Sequence, residues 1–208
     1  MPILRGSVSF ARFRCEATEK TPKNLQRALS EALKLKAFEP IDRKGEEDRA
    51  SGFVELYDPE RCEFGATDLF FGERALFSYR VEKLRVPGPA VNTEVDAWRK
   101  AFSAEHGRPP KRPEVNEARD DVRRKLRQRT LPSVAVFDVT WNLSSERLLI
   151  WATARKLVEE IQVTLEDALR VRLVPEVPAA IAERKRVPEL QLAPTAILFG
   201  AELEVAHG

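Results

Sequence analysis

Apolar residues along this chain switch between a period of two and a period near 3.6, and the switches divide it into strands and helices. Leu4 to Arg14 alternates, with Val8, Phe10 and Arg12 on one side, and predicts a first strand. In the next stretch, TPKNLQRALSEALKLK, Thr21 suits an N-cap and Pro22 a first helical position. Leu25, Ala28, Leu29, Ala32 and Leu33 then form a helical stripe. A polar loop, IDRKGEEDRASG, leads to strands over Phe53 to Tyr57, Asp68 to Phe71 and Arg74 to Leu84. Turns fall at Asp58-Pro59 and Phe71-Gly72-Glu73.

The prolines and glycine of VPGP, Val86 to Pro89, break the pattern, and beyond them Val91, Val95, Trp98 and Phe102 share one helix face. HGRPPKRP turns the chain into a second helix over about Pro113 to Arg129, with Val115, Ala118, Val122 and Leu126 as its apolar stripe. These two make a charged helical hairpin over about 90–130, inserted between strands. After Leu131-Pro132, Phe137, Val139, Trp141 and Leu143 alternate with polar residues. Asn142 to Glu146 turns, Arg147 to Ala152 returns, and Arg155 to Leu169 is an amphipathic helix. From about Val174 the chain is Pro-rich, with one further strand read at Ala196 to Phe199. No repeat of fixed period is present. The reading is one α+β domain over 1–208, a mostly antiparallel sheet with amphipathic helices.

Composition narrows the class. With 43% apolar and 33% charged residues, the chain has the make-up of a globular protein with a heavily charged surface. No apolar run is long enough to span a membrane, and MPILRGSVSF lacks the apolar region of a signal peptide. Cys15 and Cys62 lie far apart and read as reduced core residues, so a cytoplasmic protein is the expectation.

Charge changes the picture in one place. Gly107 to Pro132 holds nine cations, Arg108, Lys111, Arg112, Arg119, Arg123, Arg124, Lys125, Arg127 and Arg129, against four carboxylates. That excess of five exceeds the net charge of +2 for the whole chain. On a helical wheel Arg119, Arg123, Arg124 and Arg127 form a ridge beside the apolar stripe, interrupted by Asp120. Arg119, Arg123 and Arg127 recur one turn apart, about 6 Å along the axis. Arginine is the side chain best shaped for bidentate phosphate contact, so the ridge has the footprint of a nucleic-acid surface. The competing reading is a solvated helix in which Asp120 pairs with Arg124 and Asp121 with Lys125.

Catalytic patterns do not emerge. His106 sits at a helix end and His207 in the terminal tail, and neither belongs to a metal-binding motif. No nucleophile elbow, phosphate-binding glycine loop or CxxC occurs. Glu46, Glu47 and Asp48 read as solvated loop carboxylates. Asp58, Glu60, Glu63 and Asp68 do not compose a convincing metal site for a nuclease. Trp98, Trp141 and Trp151 fall on apolar faces and are assigned to core packing. The expectation is a protein that is not an enzyme and uses no cofactor or metal.

Four stretches, taken in order, resemble the RdgC family of recombination-associated DNA-binding proteins. They are ALFSYRVEKLRVPGPAVN, the charged hairpin with HGRPPKR, QRTLPSVAVF, and VTWNLSSERLLIWATARKLVEEIQVTLEDALRVRLVP. Glu82, Lys83, Pro87 and Val91 match the family's first segment. Leu131 and Pro132 match the strand entry, and Ala154, Arg155 and Lys156 the start of the following helix. The resemblance covers about residues 1–178. It implies sequence-nonspecific binding of double-stranded DNA by a homodimer that closes into a ring with a basic hole. It also implies no catalysis, a nucleoid location in the cytoplasm, and competition with a RecA-type recombinase for DNA. The nine hairpin cations are then the residues expected to face DNA. Two departures bear on ring closure. Longer family members continue past the point matching Gly208, and Ser133, Val134 and Ala135 stand where the family carries an aromatic near the strand entry. The alternative is a protein–protein adaptor of recombination or phage machinery that makes no DNA contact.

Overall fold

The computed structural model of the chain describes residues 9–188. Seven strands form one antiparallel sheet, in the spatial order β2-β4-β5-β6-β1-β7, with a two-residue strand, β3, paired beside β4. The strands are β1 Ala11–Ala17, β2 Arg49–Glu55, β3 Phe70–Phe71, β4 Arg74–Lys83, β5 Ser133–Asn142, β6 Arg147–Ile150 and β7 Val171–Pro175. The helices are α1 Leu25–Leu35, α2 Ala66–Leu69, α3 Gly88–His106, α4 Arg112–Arg129, α5 Arg155–Leu169 and α6 Pro178–Arg184. The α+β class follows from the sequence pattern.

One face of the sheet carries the main core. The strands' register sets Ala75, Trp141, Leu148 and Phe13 in one row and Phe77, Val139, Ile150 and Ala11 in the next. Helices α1 and α5 cover these rows with Leu29, Ala32 and Leu33, and with Val158, Ile161, Leu165 and Leu169. Burying a Leu, Ile or Phe side chain is worth about 1.5–3 kcal/mol, so these stripes hold both helices down.

The opposite face is divided. Toward β2 and β4 it is covered by the loops around Phe38, Ile41 and Glu60, which Arg80 ties down. The Arg80 guanidinium donates to Glu60, Glu82 and the carbonyl of Pro59, and lies 4.6 Å from the Phe38 ring centroid. Gly52 permits this: a Cβ there would fall 2.5 Å from the Cα of Phe38, where residues 36–38 bond alongside β2. Toward β6 and β1 the same face is open among the described residues. Its rows are Leu76, Thr140, Leu149 and Arg12, and then Arg74, Asn142, Arg147 and Arg14.

Several expectations change. In β1 Cys15 is buried as expected, together with Phe13, and the side that Phe10 and Arg12 share faces away from the main core. The N-cap of α1 is Asn24, whose side chain accepts from the Arg27 N–H at 3.0 Å; the Thr21 hydroxyl instead donates to the carbonyl of Arg170. Asp68 to Phe71 begins as the short helix α2, and β2 starts within the loop expected to run to Gly52. The Pro-rich region begins inside β7, which pairs with β1, and contains α6, opened by Pro178. Ala196 to Phe199 lies outside the described residues. No described helix is long and apolar enough to cross a membrane.

Candidate nucleic-acid interface

Strands β4 and β5 pair along their full length, from Arg74 opposite Asn142 to Lys83 opposite Ser133. Neighbours of this kind are commonly joined by two to five residues. Here residues 84–132 intervene as the α3–α4 hairpin. Gly107 ends α3 with φ 62°, a left-handed conformation that glycine adopts without penalty, and its N–H bonds the carbonyl of Ser103. Val91 and Val95 of α3 and Ala118 of α4 are buried. Trp98 and Phe102 continue the seam, 5.1 Å apart, and His106 stacks on Phe102 at 4.1 Å. His106 thus serves the helix end, its Nδ1 lying 3.2 Å from the carbonyl oxygen of Phe102.

The nine cations of the segment divide by partner. Arg108 is bound at the turn: it grips Glu114 with both terminal nitrogens, at 3.0 and 2.6 Å, and lies over the Phe102 ring. Glu114 also accepts from the Lys111 N–H, closing the first turn of α4. Bonds from Arg108 and then Lys111 hold the Glu114 carboxyl down at about 2. Arg124 pairs with Asp121 three residues earlier, in place of the pairs Asp120–Arg124 and Asp121–Lys125. Arg127 leaves the ridge. Its guanidinium, only 11% exposed, donates to Asp48 and to the carbonyl of Glu47, pinning the base of α4 to the loop before β2. The acidic run at 46–48 is therefore partly an anchor.

Lys111, Arg112, Arg119, Arg123, Lys125 and Arg129 remain, all exposed and with no carboxylate partner among the described residues. Arg112 and Arg119 line an open cleft of about 550 Å³ with Pro109, Pro110 and Asn116. Across it stands Arg99 of α3, which the sequence reading passed over. Its position one turn after Val95, beside the apolar stripe, was the available signal. Arg99 is also bonded to Asp96 at 3.1 Å.

Of the carboxylates considered for a nuclease, Glu60 pairs with Arg80 and Glu63 with Arg61. Among the described residues no group of three or more His, Cys, Asp or Glu side chains is placed to hold a metal ion. Trp141 is buried in the core, whereas Trp151 is half-buried on the open sheet face, its ring 5.2 Å from Phe10.

No curated protein matches the chain. A family model described as "Putative exonuclease, RdgC" matches residues 10–193, which take in every described element from β1 through α6. With a match over most of its length, in a sheet interrupted by a basic hairpin, the chain belongs to the RdgC family and shares its association with DNA recombination.

Proposed function

We propose that this protein binds double-stranded DNA without sequence preference through the α3–α4 hairpin. It acts as a homodimer on the nucleoid and restricts a RecA-type recombinase, without catalysing a reaction. The observation carrying this reading is the set of six exposed hairpin cations that have no carboxylate partner among the described residues. Unpaired cations on an exposed helix recruit anions, and successive arginines one turn apart suit a phosphate backbone. Phosphate contacts of this kind position a protein without reading bases.

If the six cations each meet a phosphate, log K should fall with log salt at a slope of about −5. Affinity for a duplex would then drop by roughly 10³ between 50 and 200 mM salt. Replacing Arg119 and Arg123 by Glu should weaken binding equally for unrelated sequences and flatten the slope. A nearly salt-independent affinity refutes the reading, and a protein partner captured without any DNA shift would favour the adaptor instead. The wording of the family description supports a second reading as an exonuclease. Degradation of duplex ends that requires a divalent cation, and survives stringent purification, would establish it.

A further inference from the structure

The open sheet face is a second charged surface, separate from the hairpin. Arg74 on β4, Arg147 on β6 and Arg12 on β1 project from it around Thr140, and Phe10 and Trp151 form its aromatic side. These residues bound a concavity of about 780 Å³ whose lining, among the described residues, contains no carboxylate. Arg12 and Arg74 are exposed and have no acidic partner among the described residues, and Arg12 lies 5.6 Å from the Phe10 ring centroid. Arg147 is the exception, 3.5 Å from Glu176 at the margin. The indole Nε1–H of Trp151 points to Thr140 Oγ1 at 3.4 Å, which fixes the ring on the sheet.

We propose that this face binds a short single strand of nucleic acid. Cations at its edges suit phosphates, and the flat rings on its aromatic side suit unpaired bases, the combination used by stacking platforms for single strands. From β4 to β1 the face spans three strand spacings, about 14 Å. At roughly 3.4 Å per stacked nucleotide this accommodates about four. A duplex keeps its bases stacked inside and presents only phosphates, so Trp151 and Phe10 offer it nothing and the hairpin cations remain its contact surface. The single strand is therefore the occupant that uses the whole surface.

The test compares a labelled oligothymidylate with a duplex, by fluorescence anisotropy at one salt concentration. Both ligands are titrated onto the full chain, an Arg12→Glu/Arg74→Glu variant and an Arg119→Glu/Arg123→Glu variant. The sheet variant should lose at least tenfold in affinity for the single strand while its duplex affinity stays within threefold. Both substitutions are on exposed side chains, and an unchanged circular dichroism melt confirms folding. Oligothymidylate should also quench the intrinsic fluorescence, and Trp151→Phe should remove that quenching. Single-strand affinity within threefold of wild type in the sheet variant overturns the proposal, as does quenching that persists in Trp151→Phe. Equal loss of both ligands in the sheet variant overturns it as a separate site. The hairpin reading fails by a different result, unchanged duplex affinity in the Arg119→Glu/Arg123→Glu variant.

Discussion

Replacing Arg80 by alanine would strand a carboxylate inside the protein. The Arg80 and Glu82 side chains are 8% and 4% exposed, and they bond each other at 2.6 Å on the covered part of the sheet face. Glu82 also lies 3.5 Å from the Ile41 N–H, a weak contact beside the charge-assisted one. Removing one partner of a buried pair typically costs about 3–5 kcal/mol, because the remaining charge keeps its desolvation penalty. Arg80 further releases Pro59, Glu60 and the Phe38 ring, so the upper part of that range applies. In a chain of this size 1 kcal/mol moves Tm by about 2–4 °C, which places the loss near 10–20 °C. Urea denaturation followed by circular dichroism, with thermal melts beside it, measures both quantities. The control is Arg80→Met with Glu82→Leu, which removes both charges together and should recover most of the loss. A single Arg80→Ala variant within 1 kcal/mol of wild type would refute the reasoning, as would a double variant no more stable than the single one.

Other consequences follow from individual groups. Burial disfavours the charged form of Glu160, but bonds from Arg49, Ser51 and Tyr79 outweigh it and hold the carboxyl below its ordinary 4.5. A depressed carboxyl stabilises the fold above its unfolded value and loses that contribution as pH falls through the folded one. Glu160→Gln should therefore be destabilised at neutral pH and converge with wild type below pH 4.5; parallel urea midpoints across that range would contradict it. Burial, then the charges of Glu146, Glu16 and Glu166, push the Cys15 thiol up to about 12. Cys15 should resist alkylation at pH 8 in the native protein and react freely in urea, which peptide mass mapping reads directly. Glu166 accepts from the Leu173 N–H at 2.6 Å and Gln162 donates to the Leu173 carbonyl, so α5 caps the backbone of β7. Glu166→Ala should cost about 1–3 kcal/mol and promote association through the exposed edge, measured by urea midpoint and light scattering. An unchanged midpoint with no added scattering would rule this out.

Elements with their own periodicity were legible in the sequence: α1, α3, α4, α5 and the long strands β4 and β5 all carry uninterrupted apolar stripes. Legibility failed where local and tertiary signals compete. In β1 the alternation put Phe10 and Arg12 on one side without saying which side faces the core; the partners of Phe13 and Cys15, Leu148 and Leu173, decide that. β7 is five residues, and β1 together with the capping side chains of α5 defines it as a strand more than its own pattern does. In the hairpin the ridge was legible as a helix face, but its composition was not. Arg127 departs because Asp48, seventy-nine residues away in sequence, comes within reach, and no spacing rule carries that information. Arg99 joins because two helices face each other, which a wheel drawn for one helix cannot display.

The loss of Arg127 from the ridge strengthens the functional argument. A hairpin attached to the sheet only through its two connections would swing, and an electrostatic surface on it would have no fixed direction. Arg127 bonds to Asp48 and Glu47, and Asp48 also offers its carbonyl to the Leu84 N–H, where the chain leaves β4. The entry to the hairpin and the last turn of α4 are thereby fastened to one short stretch, and that stretch leads directly into β2. The cations beyond the anchor, from Lys125 back to Lys111, then project from the sheet at a set angle. Cutting the anchor with Arg127→Ala removes a cation that is already neutralised, so a purely additive electrostatic view expects little change in duplex affinity. If orientation matters, affinity should fall more in this variant than in Lys125→Ala, although Lys125 is the freer charge. The reverse order would mean that the hairpin binds as an untethered arm.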